Sequence, residues 1–413
     1  MAARAKIYHI ALRQNGMNSN LNQLQPYPFQ KLRQLFEGVT RNASLKPIDL
    51  QIGEPKHRTP DFIRQALVDN LNGLASYPTT SGTPALRSSI ATWIAHRFHL
   101  PTINPDTEVI PVNGSREALF SFAQTIIDCK SAEPVVVCPN PFYQIYEGAA
   151  LLAGATPCFI NTLPDNHFRL DYTQLPDDIW RRTQLIYVCS PNNPTGSVMT
   201  LDEWRELFAL SDRYGFVVAS DECYSEIYFN EEQPPLGALD AAHQLGRDGF
   251  PRLVVFNSLS KRSNVPGLRS GYVAGDAKIL EKYLLYRTYH GCAMNPAAQA
   301  ASAAAWNDEA HVVENRRLYR DKFSVTTALL SESLPVQMPD AGFYLWVKTP
   351  ISDTEFTKRL YRDYNVTVLP GSYLARDVRG VNPGENYVRI ALVASQEECV
   401  EAVSRIKRLL VQL

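Results

Sequence analysis

The stretch SLSKRSNVPGLRSG, Ser258 to Gly271, follows directly on the apolar run LVVF. A strand therefore ends abruptly among hydroxyls and cations, with Lys261 between serines and Arg269 eight positions further on. The same event recurs upstream. EVIPVNG, PVVVCP, LIYVCS and FVVAS are short apolar runs, and the polar clusters NGSREAL, PNPFY, SPNNPTG and DECYSE follow at their ends. Unbroken apolar runs mark strands buried on both faces of a parallel sheet, whereas strands with one wet face alternate. A helical stretch, TLDEWRELFALSDRYG, lies between two of them, with a capping box in Thr200 and Glu203 and a stop at Gly215. Strands alternating with helices predict βαβ units. In such sheets ligands sit beyond the carboxyl ends of the strands, where all five polar clusters lie.

Working outward, residues 1–45 read as an N-terminal arm or part of the smaller domain, with YPFQKLRQLFEGV as a short helix. The large α/β body is expected over 46–309. Near residue 310 the pattern changes: HVVENRRLYRDKFSVTTALLSESL predicts a long helix, then PDAGFYLWVK, VTVLPGSYL and NYVRIALV predict strands before a last helix. A smaller α+β domain is expected over 310–413.

Charge narrows the ligand. The 41 Lys and Arg residues against 42 Asp and Glu give a net charge of −1, no field for nucleic acid or an anionic membrane. A small ligand held by local charges is expected. The seven cysteines form no CxxC and read as reduced and mostly buried, which suits a cytoplasmic setting. No metal spacing occurs among the eight histidines. The opening MAARAKIYHIALRQNG lacks the long apolar core of a signal peptide, and no apolar stretch reaches bilayer length.

Each cluster has its own chemistry. Lys261 is the residue type that forms a Schiff base. Asp221 ends a strand where a carboxylate can face a cationic ring nitrogen, and Tyr224 follows three residues on. Asn193 can donate one directional hydrogen bond. The turn Gly114-Ser115 opening a helix exposes backbone N–H groups, an anion site. Arg389 sits in YVRIALV between apolar neighbours, so its guanidinium must be paired or await an anion, and arginine grips carboxylates bidentately. Singly, each is equally a solvated loop residue or a cap. Together they describe a ligand with a phosphate, a flat ring, a cationic ring nitrogen, a phenolate oxygen and an aldehyde.

At these residues the chain resembles the class I/II aminotransferases, fold-type I enzymes that use pyridoxal 5'-phosphate, from roughly Ile48 to the C-terminus. The resemblance implies a large domain with a mostly parallel seven-stranded sheet flanked by helices, a smaller α+β domain built from both chain ends, and a homodimer with shared active sites. It implies Lys261 as the Schiff-base lysine, Asp221 as partner of the ring nitrogen, and Tyr224 and Asn193 on the ring phenolate. Tyr143 resembles the aromatic stacked on the ring. Gly114, Ser115, Arg116, Ser258 and Arg269 resemble the phosphate cup, and Tyr77 the tyrosine reaching the neighbouring subunit's phosphate. Arg389 resembles the α-carboxylate clamp, with Gly53 as a backbone contact beside it.

Within that family, LQIGEPKHRTP, YPTTSGTPALR, NPFYQIYEGAA and SKRSNVPGLRSGYVAGD are most similar to N-succinyldiaminopimelate aminotransferases of bacterial lysine biosynthesis. The resemblance implies exchange of an amino group between N-succinyl-LL-2,6-diaminopimelate and 2-oxoglutarate or glutamate, by ping-pong kinetics. A second cation should then meet the distal carboxylate, and Lys56, with His57 and Arg58 in KHR after Gly53, is expected to help. Aspartate, aromatic or other amino donors remain open, as do a lyase and a cofactor-binding regulator, although no spare basic helix-turn-helix segment is present.

Overall fold

The structure is a computed structural model that describes residues 17–413; the opening stretch read for a signal peptide lies outside these residues. Twelve strands occur in order: β1 Ile48–Asp49, β2 Val109–Val112, β3 Val135–Asn140, β4 Thr156–Asn161, β5 Thr183–Cys189, β6 Val217–Asp221, β7 Leu253–Ser258, β8 Gly271–Gly275, β9 Tyr344–Lys348, β10 Val366–Thr367, β11 Leu369–Pro370 and β12 Tyr387–Ala391. Seven form one sheet in the order β2-β8-β7-β6-β5-β3-β4. Only β8 runs antiparallel to its neighbours.

The continuous apolar runs are explained by burial on both faces. Along β5, Leu185 and Tyr187 enter one core cluster, while Ile186 and Val188 enter another. On β7, Val254 and Phe256 face the first of these and Leu253 and Val255 the second. Two strands of this sheet are absent from the sequence reading. β4 is a sheet edge that buries only its last two residues, and it carries Pro157 near its start. β8 is five residues bounded by glycines. Neither gives a long apolar run.

A second body gathers β9, β11 and β12 into an antiparallel sheet, with the helices Ala310–Ser331, Asp353–Tyr364 and Gln396–Val411 packed around a third cluster. The expected strand VTVLPGSYL divides into β10 and β11. Here the division at residue 46 needs correcting. β1 pairs in parallel with β10, and Ile48 and Leu50 are buried among C-terminal side chains. An apolar pair that finds its partners in the second body belongs to that body, wherever it lies in the chain. The short helix Pro28–Leu35 also docks there, with Leu32 against Leu369 and Leu374. Among the described residues no helix is long and apolar enough to cross a membrane.

Candidate active site

The carboxyl ends of β3, β5, β6 and β7 open on two adjoining cavities, of about 140 and about 900 Å³, and Lys261 lines both. It stands on a single helical turn that Ser258 caps, the Ser258 hydroxyl accepting from the Ser260 amide at 3.1 Å. Its amine donates to the Gly53 carbonyl at 2.5 Å. Burial lowers the Lys261 amine to about 8, and nearby Arg389 and Arg116 work in the same direction. An amine so tuned is far more often neutral near pH 7 than a surface lysine.

Asp221 ends β6 and is buried. Tyr146 donates its hydroxyl to one carboxylate oxygen at 2.7 Å, and the Cys223 amide donates to the other at 3.3 Å. Burial raises the Asp221 carboxyl against those two bonds. A cation set beside it would reverse that shift and secure the carboxylate. Tyr224 is buried one turn away, and its hydroxyl shares a hydrogen bond with that of Tyr344 at 3.1 Å.

Arg389 lies on β12, where the apolar neighbours read in the sequence do bury it. Its guanidinium donates to the Asn193 side-chain oxygen and to the Gln51 carbonyl, each at 2.9 Å, and lies over the Tyr344 ring. Its Nε is buried without a partner among the described residues. A buried arginine with an unused donor beside a cavity fits an incoming carboxylate.

The anion cup is equally specific. Gly114 begins the helix Ser115–Ile126 at φ +89°, and no side chain caps that end. A Cβ on Gly114 would collide with the guanidinium of Arg269, which returns to the helix start from the turn Pro266–Leu268. Ser115, Arg116, Ser258, Ser260 and Arg269 line the larger cavity. Free amides, hydroxyls and two cations at a helix N-terminus suit a dianion. Arg116 also holds the Tyr143 hydroxyl at 2.6 Å, fixing that ring at the cavity wall.

The family model for aminotransferase class I and II matches residues 46–406. This chain belongs to that family. Solved aminotransferases are similar over most of its length. One from Neisseria meningitidis Z2491 is 52% identical with a TM-score of 0.92, covering 95% of this chain and 100% of that one. The aminotransferase AspB from Helicobacter pylori 26695 is 34% identical with a TM-score of 0.87, covering 94% and 100%. Among curated relatives, an LL-diaminopimelate aminotransferase of Aquifex aeolicus (strain VF5) is 31% identical over 95% of this chain and 98% of its own. As an aminotransferase the protein depends on pyridoxal phosphate. The buried carboxyl of Asp221, the cradle at Gly114 and the cup around it fit that group.

Not every expected aminotransferase residue joins the site. Tyr77 is fully exposed and lines a separate cavity with Leu74, Ala293 and Pro296. Lys56 is exposed and lines neither cavity at Lys261. KHR turns away from the pocket: Arg58 pairs with Asp61 at the surface, and His57 points into the helix Ala310–Ser331. The expectation that Lys56 meets a distal carboxylate is therefore corrected: Pro55 and His57 take the inward-facing places beside it, and Lys56 is left at the surface. Residues that sequence reasoning missed are Tyr344, Tyr146, Ser260 and, in the lining of the smaller cavity, Tyr27 and Phe29. The tyrosine in GFYLW and the second serine in SLSK were visible signals. Tyr27 and Phe29 come from the distant N-terminal arm and offered none.

Proposed function

We propose that this aminotransferase acts on a diaminopimelate-type amino donor with 2-oxoglutarate as acceptor, in lysine biosynthesis. The observation that carries the reading is the convergence of Lys261, Asp221 and Arg389 on one small cavity. When bound, pyridoxal phosphate supplies an electron-withdrawing ring and an aldehyde carbon. Lys261 would be the covalent anchor, and its amine, once freed, would move a proton from the donor Cα. Asp221 would hold the ring nitrogen, and Tyr224 with the Asn193 amide would hold the ring oxygen. Tyr143 would pack on the ring. Arg389 takes the α-carboxylate, and the Gly53 carbonyl orients the Lys261 amine. Gly114, Ser115, Arg116, Ser258 and Arg269 hold the phosphate.

For the distal end, an N-succinylated donor is the first choice. The smaller cavity is lined also by Tyr27, Phe29, Ile52, Gln144 and Leu374, and among the described residues Arg116, Lys261 and Arg389 are its cations and Asp221 its only acid. An uncharged or acidic group suits that lining better than a second ammonium. Free LL-diaminopimelate is the second reading, favoured by the names of curated relatives, including one from Nitratidesulfovibrio vulgaris (strain DP4) at 32% identity. Comparing kcat/KM for the two donors with 2-oxoglutarate tests both. If aspartate or an aromatic donor exceeds both by tenfold or more, the proposal fails.

The reading includes a homodimer. The fully exposed Tyr77 ring, with exposed Leu71, Leu74 and Tyr289, offers an apolar surface for a second copy. A cytoplasmic setting is proposed with it, in keeping with seven free cysteines.

A further inference from the structure

His57 lies outside the cavities, yet it is the centre of a mostly buried polar chain. Its Nδ1 is 2.8 Å from the Asn315 side-chain oxygen, and its Nε2 is 3.0 Å from the Lys322 amine. Asn315 donates from its NH2 to the backbone carbonyl of Lys261 at 3.2 Å and to that of Arg262 at 3.4 Å. Lys322 donates also to the Leu392 carbonyl, three residues beyond Arg389, at 3.1 Å. Asn315 and Lys322 are each 2% exposed.

Donor and acceptor logic fixes the protons. Backbone carbonyls only accept, so Asn315 must turn its NH2 to Lys261 and its oxygen to His57. The hydrogen on His57 therefore sits on Nδ1. Nε2 is then bare and accepts from Lys322, which as an ammonium can only donate. A second proton on His57 would place N–H against ammonium with nowhere to turn. Burial and the adjacent Lys322 both lower the His57 imidazole, against the Asn315 bond and Glu314. The other groups around Lys322 are Lys56, Glu397, Glu398 and Cys399, and the Tyr319 ring packs on both partners.

The same segment of chain touches the reacting end of the site twice. The Gln51 carbonyl accepts from Arg389 and the Gly53 carbonyl accepts from Lys261. Four residues later His57 ties the segment down, and Thr59 adds a bond to the Asn264 carbonyl at 2.6 Å. We propose that neutral His57, acting through Asn315 and Lys322, is a positioning residue that sets the distance between the Lys261 amine and the Arg389 clamp. One arm reaches the backbone of Lys261, the other reaches Leu392, the residue just past the strand of Arg389, and the strap from Gln51 to His57 closes the ring.

The proposal rests on Lys261 as the covalent anchor. His57→Gln keeps one donor and one acceptor, whereas His57→Leu keeps neither. In single-turnover mixing with amino donor, His57→Leu loaded with cofactor should slow the half-reaction about tenfold, with donor KM changed far less. His57→Gln should restore most of the rate. Wild-type speed in His57→Leu, or equal loss in both variants, overturns the relay while leaving the anchor intact. Loss of the anchor reading shows separately, as lysine-linked cofactor absorbance that survives Lys261→Ala. Should His57→Leu not fold, the nitrogen-15 spectrum of wild-type protein decides, with the His57 signal assigned by difference against His57→Gln. A neutral Nδ1–H imidazole unchanged from about pH 6 to 8 supports the relay, and titration near the ordinary value of about 6.5 overturns it.

Discussion

The guanidinium of Arg389 donates to the side-chain oxygen of Asn193 at 2.9 Å, across 196 positions of sequence. This bond joins β12 of the second body to the loop after β5 of the first, and it leaves the Asn193 NH2 as the donor available to the cavity. One contact thus couples the proposed carboxylate clamp to the residue proposed to hold the cofactor ring oxygen. Arg389→Lys should keep the charge but lose the two-pronged grip. We expect kcat/KM for the amino donor to fall about 10- to 100-fold, the equivalent of one to two charged hydrogen bonds. Steady-state kinetics with circular dichroism as a folding control checks this.

Asp221 and Tyr146 give a graded pair. Asp221→Asn removes the carboxylate proposed to keep a ring nitrogen protonated, and we expect kcat to fall by at least about 100-fold. Tyr146→Phe removes only the 2.7 Å bond to that carboxylate. Its effect should be nearer tenfold, in keeping with about 1.5 kcal/mol for a bond to a charged group. Equal losses in the two variants would contradict the order proposed.

The cofactor-free protein should show the lowered amine of Lys261 directly. The amine attacks an aldehyde only when neutral. Its value near 8 means that it is mostly ammonium at pH 7 and mostly free amine at pH 9. The rate of loading with pyridoxal phosphate should therefore rise about tenfold per pH unit below 8 and level off above it. Stopped-flow absorbance across this range tests the midpoint. A rate still climbing at pH 10 would mean an unperturbed lysine.

Gly114→Ala is predicted to damage the cup twice. Alanine at φ +89° is strained by about 1–2 kcal/mol, and its methyl group would displace Arg269. Melting temperature should drop, and pyridoxal phosphate affinity should fall about tenfold or more, read by equilibrium titration of the apoprotein.

Tyr77 offers a test of shared sites. Tyr77→Phe retains the apolar ring and loses the hydroxyl, so dimerisation should persist while cofactor affinity weakens several-fold, about 1 kcal/mol for one hydrogen bond. Sedimentation and titration on the same sample separate these effects.

Much of the site was legible because strand ends announce themselves. Lys261, Asp221, Asn193 and Tyr143 each follow an unbroken apolar run, and sheet topology brings such ends to one edge. Lys56 shows where this reasoning stops. Proximity to Gly53 in sequence suggested proximity to the pocket, but Pro55 and His57 take the inward-facing places, so His57 rather than Lys56 found buried partners.

By itself the sequence determined the two-faced parallel sheet, the order of its catalytic loops and the chemistry of the group they would hold. These are local properties: apolar periodicity, caps and residue type at strand ends. Only the tertiary structure decided that Ile48 and Leu50 pack with the C-terminal body, that Arg389 meets Asn193, and that Lys322 and Asn315 meet His57. Such pairings depend on which buried donors and apolar faces remain unmatched once the bodies close. No window of sequence contains both partners, so their meeting is a property of the packed chain alone.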